Sequence, residues 1–279
     1  QICLKERRVK INWFPGHMKK ALDQMRKELV KADVIIYVLD SRAPKSCLNP
    51  ELKKLAGAKP ILYILNKIDL TDLERLNKVK ACFKGENHDY LMLNSTQSGL
   101  AKNVCEKMRL LCKNKVEKFK NKGISVTLRA IVVGVPNSGK STLVNNLCKK
   151  AKAVTGDKPG VTKNKQWFKI ASDIEVCDTP GTLYPNLDNQ EVAKSLAFIG
   201  SIRDEVVDEV ELAEEFLKRM QKLYPGKIEE RYKGASNLQE ICKARAFLLP
   251  GGEFDVSRGA KALISDFRSG RLGNLMIGD

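Results

Sequence analysis

One short segment combines glycines, a lysine and a hydroxyl side chain at a spacing that suits phosphate binding. Residues 134–141 match the pattern Gly-x-x-x-x-Gly-Lys-Ser. Its glycines would let consecutive backbone N–H groups curl around phosphate oxygens, and a following helix would add a favourable dipole. Lys140 would reach the β- and γ-phosphates of a nucleoside triphosphate, and the Ser141 hydroxyl would ligate Mg²⁺. The residues expected around the phosphates are Gly134, Pro136, Asn137, Ser138, Gly139, Lys140, Ser141 and Thr142.

Two further segments downstream could complete this site. Residues 178–181 are Asp-Thr-Pro-Gly and end a strand-like run, so the Asp178 carboxylate could hold the Mg²⁺ shell and the Gly181 N–H could sense the γ-phosphate. Between the two segments, Thr162 is the candidate for the threonine that closes on Mg²⁺ when the triphosphate is bound. An ordinary turn is the alternative for Thr162. The predicted Mg²⁺ ligands are therefore Ser141, Thr162 and Asp178.

Residues 66–69, Asn-Lys-Ile-Asp, follow a strand-like run and carry the side chains needed to recognise guanine. The Asp69 carboxylate can accept hydrogen bonds from N1–H and the 2-amino group of guanine. Adenine offers neither donor, so it would leave a desolvated carboxylate partly unpaired. Asn66 would brace the loop, and the Lys67 stem would lie across the base. Together with the phosphate loop, this segment predicts GTP rather than ATP as the ligand.

The order of these motifs is unusual. In ordinary GTPases the phosphate loop comes first, whereas here residues 66–69 precede it. Asn94 and Ser95, after the next strand-like run, could supply a backbone N–H to guanine O6, and they also lie upstream of the loop. A circular permutation of this kind keeps the three-dimensional site but moves the chain ends. The segment that contains Gly181 then leads directly into the C-terminal helices, so we expect the nucleotide to influence their position.

The motifs need a framework of strands and helices that positions them. Runs of β-branched and Leu residues bounded by turns predict buried parallel strands, and apolar residues at helical spacing predict helices. Their alternation predicts a doubly wound, mostly parallel α/β GTPase domain in residues 1–184, with 1–16 as an extension, and a small all-helical domain in 185–279. The predicted strands are 34–40, 61–66, 90–94, 130–135, 166–170 and 174–177. The predicted helices are 17–32, 72–83, 100–120, 141–150, 191–198, 210–223, 238–248 and 256–267, the last capped by Asp255.

The composition favours a polyanionic partner. The 279 residues include 50 Lys and Arg against 33 Asp and Glu, a formal charge of +17, and charge of that sign attracts polyanions. A soluble protein with basic surfaces is the alternative. An anionic membrane is a weaker alternative, because no basic amphipathic helix with bulky aromatic residues stands out. No apolar run approaches the roughly 18 residues of a membrane span, so we expect no stable membrane association.

The sequence resembles the circularly permuted ribosome biogenesis GTPase A family, bacterial assembly factors for the large ribosomal subunit. Besides the nucleotide motifs, the resemblance includes residues 13–18, 40–44, 49–50, 251–255 and 266–273. It implies a P-loop GTPase that binds GTP and GDP with Mg²⁺, binds the precursor of the large subunit and its rRNA, and hydrolyses GTP as a late assembly switch. An RNA-binding scaffold whose nucleotide site is mainly structural is the alternative. We expect a monomer in the cytoplasm, or in an organellar matrix for an organellar homologue.

The resemblance also bears on hydrolysis. Ordinary small GTPases carry a water-orienting Gln directly after the Asp-x-x-Gly motif, but Thr182 occupies that place and the family also lacks the Gln. The expected intrinsic rate is therefore low, with stimulation by the ribosome. In the family this role is assigned to a His in the N-terminal Pro-Gly-His-Met segment, which is His17 here. A histidine that packs locally at a helix start is the alternative. Lys140, Thr162 and Gly181 complete the expected catalytic set.

Asn137 resembles the asparagine of GTPases that use K⁺ where others use an arginine finger. A cation beside the β- and γ-phosphates would offset charge that develops in the transition state. Capping of the loop by the Asn137 side chain is the alternative. Residues 40–44 are also open to two interpretations, a strand-end turn or a structural support for the site.

Basic residues cluster in two parts of the chain, before the phosphate-loop strand and in the C-terminal helices. A solvated face is the alternative interpretation of each cluster. Given the overall charge and the family resemblance, we expect rRNA contact by the C-terminal domain. These contacts would be mainly to phosphates, since no aromatic-rich base-stacking motif is visible. The clusters contain Lys113, Lys115, Lys118, Lys120 and Lys122, and Lys243, Arg245, Arg258, Lys261, Arg268 and Arg271.

Overall fold

Six strands form a single sheet in the computed structural model, which describes residues 25–148, 167–181 and 189–278. The strands are β1 (Val34–Asp40), β2 (Ile61–Asn66), β3 (His88–Met92), β4 (Leu128–Val133), β5 (Trp167–Ala171) and β6 (Ile174–Asp178). Their order across the sheet is β3-β2-β1-β4-β6-β5. All neighbours are parallel except β5 and β6, which are antiparallel. The predicted doubly wound, mostly parallel sheet is confirmed.

The central strands are buried on both faces, as their near-continuous apolar sequences predict. In β1, Tyr37 and Leu39 belong to the core on one face, and Ile36 and Val38 belong to the core on the other. From β1 the chain adds β2 and β3 on one side, whereas β4, β6 and β5 lie on the other side. The order therefore reverses between β1 and β4. In sheets of this type, the crevice at the carboxyl ends of the strands at such a point is the usual ligand site.

Helices cover both faces of the sheet. They are α1 (Pro50–Ala56), α2 (Leu73–Val79), α3 (Leu100–Leu111), α4 (Lys113–Lys120), α5 (Lys140–Leu147), α6 (Gln190–Phe198), α7 (Glu209–Leu223), α8 (Lys227–Arg231), α9 (Leu238–Arg245) and α10 (Val256–Arg268). Helices α3 to α5 pack on the face that contains Ile36, and the others on the face that contains Tyr37. Of the helices that the structure describes, none is long and apolar enough to cross a membrane.

The C-terminal helices share a continuous core with the sheet. Their buried residues belong to the same cluster as Tyr37 and Leu39 of β1. At its centre, the rings of Phe198, Phe216 and Phe267 lie in a row with centroids 5.2 and 4.9 Å apart. Because the two parts share this apolar surface, the C-terminal helices are fixed against the sheet, close to the end of β1.

The predicted helices differ from the observed ones where the backbone changes direction. The run 100–120 is two helices, because Cys112 leaves the helical conformation with a ψ of 17°. The run 238–248 ends at α9, because Ala246 adopts a left-handed φ of 52°. Asp255 does cap α10, since its carboxylate accepts a hydrogen bond from the Arg258 N–H. The predicted helices 17–32 and 141–150 extend outside the described residues.

The strands are closer to prediction, and β1 and β2 have the predicted bounds. The third and fourth strands begin and end two residues earlier than predicted, at Met92 and Val133 at their carboxyl ends. Helices α1 and α8 were not predicted, because each is too short to show helical periodicity. In α1 the local signals are nevertheless present, with the Asn49 side chain as cap and Pro50 in the first turn.

Candidate nucleotide site

The carboxyl ends of the parallel strands bring the predicted motifs to one edge of the sheet. The register of β1 and β2 places Asp40 opposite Asn66 at those ends. On the other side of β1, the phosphate loop 134–141 follows β4, and Asp178 of β6 lies opposite Val132 of β4. The base-recognising loop and the phosphate loop therefore converge, although the first lies upstream of the second in the sequence.

Two glycines allow the phosphate loop to pass close to its neighbours. Gly134 has a φ of 149°, and a Cβ there would overlap the carbonyl oxygen of Val38. Gly139 has a φ of 96°, and a Cβ there would overlap the side-chain nitrogen of Asn66. These positions require glycine both for the conformation and for the space. The loop is thus held between β1 and the base-recognising loop.

Lys140 begins α5 and is buried beneath the loop. Its Nζ donates a hydrogen bond to the carbonyl oxygen of Val135 at 2.8 Å. Burial lowers the pKa of Lys140 to about 8, although the charge of Asp178 acts in the opposite direction. Thr142 follows in the same helical turn and is half-buried. A desolvated ammonium group at a helix start is well suited to bind phosphate oxygens.

Ser141 and Asp178 form the pair that the sequence assigned to Mg²⁺. The Ser141 hydroxyl donates to Asp178 Oδ2 at 2.7 Å. The other oxygen, Oδ1, is buried and has no hydrogen-bond partner among the described residues. Burial raises the pKa of Asp178, while the Ser141 hydrogen bond and the charge of Lys140 act to lower it. A hydroxyl beside a carboxylate with an unsatisfied buried oxygen fits a hard cation such as Mg²⁺.

Gly181 lies directly against the phosphate loop. A Cβ at this position would be 2.7 Å from Pro136 Cα and 2.9 Å from Lys140 Nζ. The segment is anchored by Thr179, whose hydroxyl donates to the carbonyl oxygen of Val132 at 2.6 Å. The Gly181 backbone is therefore adjacent to the lysine expected to bind the β- and γ-phosphates.

Asn66 connects three loops of the site. Its Nδ2 donates to the carbonyl oxygen of Ser138 in the phosphate loop at 2.8 Å. Its Oδ1 accepts from both the N–H and the hydroxyl of Ser95, each at 2.8 Å. One buried side chain therefore fixes the base-recognising loop relative to the phosphate loop and to the loop after β3.

Lys67 and Asp69 complete the base-recognising loop. Lys67 has a left-handed φ of 62°, and its Nζ donates to the carbonyl oxygen of Asn137 at 2.7 Å. The same ammonium group pairs with Asp40 at 2.9 Å. Asp69 lies in the short 3₁₀ turn that follows and is exposed. Its carboxylate is thus accessible to a base.

The loop after β3 contains Asn94 and Ser95, whose backbone the sequence offered to guanine O6. In the structure the Ser95 N–H donates to Asn66. Asn94 accepts a hydrogen bond from the Thr96 N–H at 2.9 Å, so its side chain shapes the turn. Asn146, in α5, donates to the carbonyl oxygen of Ser95 at 3.0 Å. Sequence reasoning missed Asn146, because a lone asparagine inside a helix carries no local signal of a long-range contact.

Residues 40–44 are a structural support for the site. Arg42 and Asp40 form a buried pair, with Nη2 to Oδ2 at 2.7 Å and Nε to Oδ1 at 2.9 Å. Burial alone would raise the pKa of Asp40, but the charges of Arg42 and Lys67 outweigh it and hold that pKa below its usual range. Arg42 Nη1 also donates to the carbonyl oxygen of Arg268 at 3.0 Å. The pair links the base-recognising loop to the C-terminal helices.

The phosphate loop itself contacts the C-terminal helices. Asn137 Nδ2 donates to the carbonyl oxygen of Gly200 at 2.7 Å. The Ser201 hydroxyl donates to the carbonyl oxygen of Pro136 at 2.8 Å. Gly200 and Ser201 follow α6, so the end of that helix is tied to the loop. The Asn137 amide also carries an oxygen of the kind that K⁺ takes as a ligand.

The remaining predicted residues, His17 and Thr162, lie outside the described residues, as does Thr182. The described part of the site nevertheless contains a guanine-type acceptor, a phosphate loop with its lysine and a hydroxyl–carboxylate pair. All of them lie at the reversal point of the sheet. This arrangement can bind a guanine nucleotide with a divalent cation.

Comparison with known proteins relates the chain to ribosome-associated GTPases. A family model described as 50S ribosome-binding GTPase matches residues 129–231, which begin in β4 and exclude the upstream residues 66–69. The protein named Ribosome biogenesis GTPase A from Bacillus cereus is 38% identical over 95% of this chain and 92% of its own length. That from Bacillus licheniformis is 35% identical over 95% and 96%. Short integuments 2, mitochondrial, from Arabidopsis thaliana is 36% identical over 75% of this chain and 56% of its own length.

Two solved structures share the fold. The GDP-bound structure of YlqF from T. maritima is 22% identical, with a TM-score of 0.64 over 91% of this chain and 97% of that chain. The GNP-bound structure of YlqF has a TM-score of 0.67 at 22% identity over 92% and 97%. At this identity, the likeness establishes the common architecture of sheet and C-terminal helices.

Proposed function

The chain belongs to the ribosome biogenesis GTPase A family, and from that premise we propose that it binds the immature large ribosomal subunit and hydrolyses GTP there as a late assembly switch. The observation that carries the proposal is the direct contact between the phosphate loop and the C-terminal helices, through Asn137 and Ser201. A nucleotide that moves this loop also acts on the domain beside it, which is what a switch requires.

Guanine is selected by Asp69, whose exposed carboxylate accepts from N1–H and the 2-amino group. Asn66 and Lys67 hold the loop that presents Asp69, as their bonds to the phosphate loop indicate. Lys140 binds the β- and γ-phosphates, and the backbone N–H groups of the loop surround them. Because the bonds of Asn66 and Lys67 join the base-recognising loop to the phosphate loop, the two loops bind the guanine and the triphosphate of the same GTP molecule.

Mg²⁺ is held by Ser141 and Asp178 in this proposal, with Thr162 added in the GTP-bound form. The ion supplies positive charge that offsets charge on the β- and γ-phosphate oxygens. Asn137 is the residue that would hold K⁺ through its amide oxygen. Since its Nδ2 is bound to Gly200, occupation by K⁺ would also be felt at the end of α6.

Hydrolysis requires a group that orients the attacking water. Thr182 replaces the glutamine that ordinary small GTPases use, so this chain lacks that group at the usual place. We propose His17 for the role, and a low intrinsic rate that rises when the ribosome positions it. Gly181 senses the γ-phosphate by its N–H, beside Lys140.

The decisive experiment is GTP turnover in KCl with and without purified large ribosomal subunits, mature and precursor. We expect a rate increase of at least about tenfold with the precursor, and its loss in His17→Ala with GTP affinity retained. Replacing K⁺ by Na⁺ should lower the stimulated rate if Asn137 binds K⁺. Phosphate release in a stopped-flow assay gives the rates, and nucleotide titration gives the affinities.

No stimulation by any subunit preparation, with tight GTP binding intact, would contradict the switch. That result would favour the alternative of an RNA-binding scaffold whose nucleotide site is mainly structural. In this proposal the protein works in the compartment of the ribosome that it helps to assemble. That compartment is the cytoplasm for a bacterial ribosome and the organellar matrix for an organellar ribosome.

A further inference from the structure

The excess positive charge of this protein lies entirely before the C-terminal helices. Residues 189–279 contain 14 Lys and Arg but 15 Asp and Glu, although the whole chain carries +17. A polyanion attracted by net charge is therefore attracted to residues 1–188. The C-terminal helices attract it only where individual side chains are available.

Most basic side chains of the C-terminal helices are bound within the protein. Asp266 alone pairs with three arginines, each at 3.0 Å, and Arg268 pairs with Asp204 at 2.7 Å while donating to the carbonyl oxygens at the end of α6. These contacts hold the helices together. Lys261 pairs with Glu209 at 3.2 Å, and Arg258 lies over the Phe247 ring at 4.4 Å. Four further basic residues pair with glutamates, namely Lys194, Lys218, Arg219 and Lys227.

The lysines at the end of α4 differ from these. Lys118 and Lys120 lie in its last turn and Lys122 in the turn that follows, and all three are exposed. None of them makes an ion pair or side-chain hydrogen bond with any described residue, whereas Lys113 pairs with Glu117 and Lys115 with Asp33. Three neighbouring cations thus face solvent without an ion-pair partner in the part of the chain that the structure describes.

These lysines lie at the amino edge of the sheet, opposite the nucleotide site. Lys115 fixes α4 to Asp33, which immediately precedes β1. Beside Lys120 is an open cavity of about 430 Å³ whose lining is partly apolar, including Ile124 with an exposed fraction of 52%, and partly polar, including Ser125 and Asp173. The Asp173 carboxylate is paired with Arg109 at 2.7 Å. Exposed cations therefore adjoin a recess with a partly apolar lining. We call Lys118, Lys120, Lys122 and this cavity the amino-edge surface.

We propose that the amino-edge surface binds the phosphodiester backbone of RNA, with an unpaired nucleotide in the cavity. Exposed, uncompensated lysines suit phosphate contacts, which are positional and salt-dependent. A lipid surface is the less suitable partner, because Val116 and Phe119 of α4 are turned partly into the protein, and the single exposed side chain of Ile124 is too small an apolar face for a bilayer. The choice of RNA rests on the proposed ribosomal function.

An RNA bound at the amino edge does not compete with GTP, because the nucleotide motifs lie at the carboxyl edge. The two ligands can therefore be measured independently. Basal GTP turnover and nucleotide affinity should be unchanged when the three lysines are replaced. RNA binding therefore tests the inference, and GTP turnover with ribosomal subunits tests the proposed switch, so that either can fail without the other.

The test is fluorescence anisotropy of a labelled RNA stem-loop with an unpaired pyrimidine loop, titrated with the full chain between 50 and 200 mM KCl. The variant Lys118→Gln/Lys120→Gln/Lys122→Gln should bind at least about tenfold more weakly at 100 mM KCl. The slope of log affinity against log salt should fall by about 2, since each lost phosphate contact removes roughly 0.7 to 0.9. A fully paired RNA duplex of the same length is the second probe, and Ile124→Asp should weaken binding of the stem-loop more than binding of this duplex.

The matched control is Lys222→Gln/Lys233→Gln/Lys243→Gln, which removes the same charge from exposed lysines of the C-terminal helices. We expect it to change the affinity less than about twofold. The inference would be overturned if the control variant bound the RNA as weakly as the test variant, or if the test variant bound it as tightly as wild type. So would binding to phosphatidylserine vesicles that depends on Lys118, Lys120 and Lys122 while RNA binding does not. Stem-loop binding through these lysines without GTPase stimulation by subunits would overturn only the proposed switch.

Discussion

At the residue scale, the site depends on a few polar side chains that each serve two loops. Asn66 bonds to both the phosphate loop and the loop after β3, and Lys67 bonds to both the phosphate loop and Asp40. Asp69, by contrast, is exposed and has the ligand as its expected partner. Replacing a bracing residue should therefore affect the shape of the site, whereas replacing Asp69 should affect base selection alone.

The variant Asp69→Asn should lower GDP affinity about 100-fold, because two hydrogen bonds to a charged acceptor are lost or weakened. Xanthosine diphosphate, whose 2-carbonyl can accept from the new amide, should bind the variant better than GDP does. Titration with fluorescent nucleotide measures both affinities. Glu74→Gln, a nearby exposed carboxylate, serves as the control and should change neither. Unaltered GDP affinity in Asp69→Asn would show that another group selects guanine.

The variant Asp40→Asn should destabilise the fold by about 3 kcal/mol at pH 7, because it leaves the buried Arg42 without its carboxylate. The pKa of Asp40 is lowered on folding, so its contribution is present above the unfolded value of 3.8 and is lost as the pH falls below it. The difference between wild type and variant should therefore shrink below about pH 4. Urea unfolding at several pH values measures it.

The control for this experiment is Glu51→Gln, which breaks an exposed pair with Lys54 and should cost less than about 0.5 kcal/mol. Equal stability of wild type and Asp40→Asn at pH 7 would mean that Arg42 finds another partner.

At the scale of elements, the site is built from the ends of parallel strands and the loops that follow them. The segment after β6 approaches the phosphate loop so closely at Gly181 that no side chain fits between them. Helix α5 begins with Lys140, whose Nζ bonds to the phosphate loop. The same helix contains Asn146, whose side chain donates to the loop after β3. The spacing of these elements therefore fixes which residues can touch the nucleotide.

The variant Gly181→Ala should lower GTP turnover roughly 100-fold, a typical cost of displacing one transition-state donor. Its Cβ would lie 2.7 Å from Pro136 Cα, a backbone atom, so the segment has to move away from the loop. GDP affinity should change less than about threefold, since the segment is proposed to contact the γ-phosphate, which GDP lacks. Gly123→Ala, where no atom lies within 4 Å of the added Cβ, is the control for an added methyl group without a clash and should leave turnover unchanged. Normal turnover in Gly181→Ala would contradict the role of this N–H.

At the scale of the whole molecule, the candidate nucleotide site and the C-terminal helices are joined by direct hydrogen bonds. Three sets of bonds join them, at Pro136 with Ser201, at Asn137 with Gly200 and at Arg42 with Arg268. All three involve residues of the phosphate loop or of the β1 end. We therefore expect a change in the phosphate loop or at the end of β1 to affect the shared core.

Amide hydrogen exchange in α6 should differ between the GDP form and a GTP-analogue form. In Ser201→Ala this difference should become smaller, because one hydrogen bond worth about 1 kcal/mol between loop and helix end is removed. Nucleotide affinity should stay within about twofold, and Ser257→Ala, on the exposed side of α10, should behave as wild type. Identical exchange of α6 in the two nucleotide forms of the wild type would exclude this route of coupling.

The sequence by itself determined the ligand class and the sheet. A phosphate loop is one contiguous segment, so its residues and its strand–loop–helix context are visible locally, and so is the unusual order of the motifs. The bounds of β1 and β2 were predicted because buried parallel strands are continuous apolar runs. The break at Cys112 and the stop at Ala246 were not, since they depend on single backbone angles.

Only the tertiary structure decided which polar residues are already bound to one another. The sequence offered the backbone of Asn94 and Ser95 to the base and placed Arg268 in a basic cluster for RNA. In the structure the Ser95 N–H donates to Asn66, and Arg268 is bound to Asp204 and to the end of α6. Arg42 reaches a carbonyl oxygen 226 residues away. Such pairings arise from packing of distant segments, and a side chain's type gives no information about a partner that only the fold brings near.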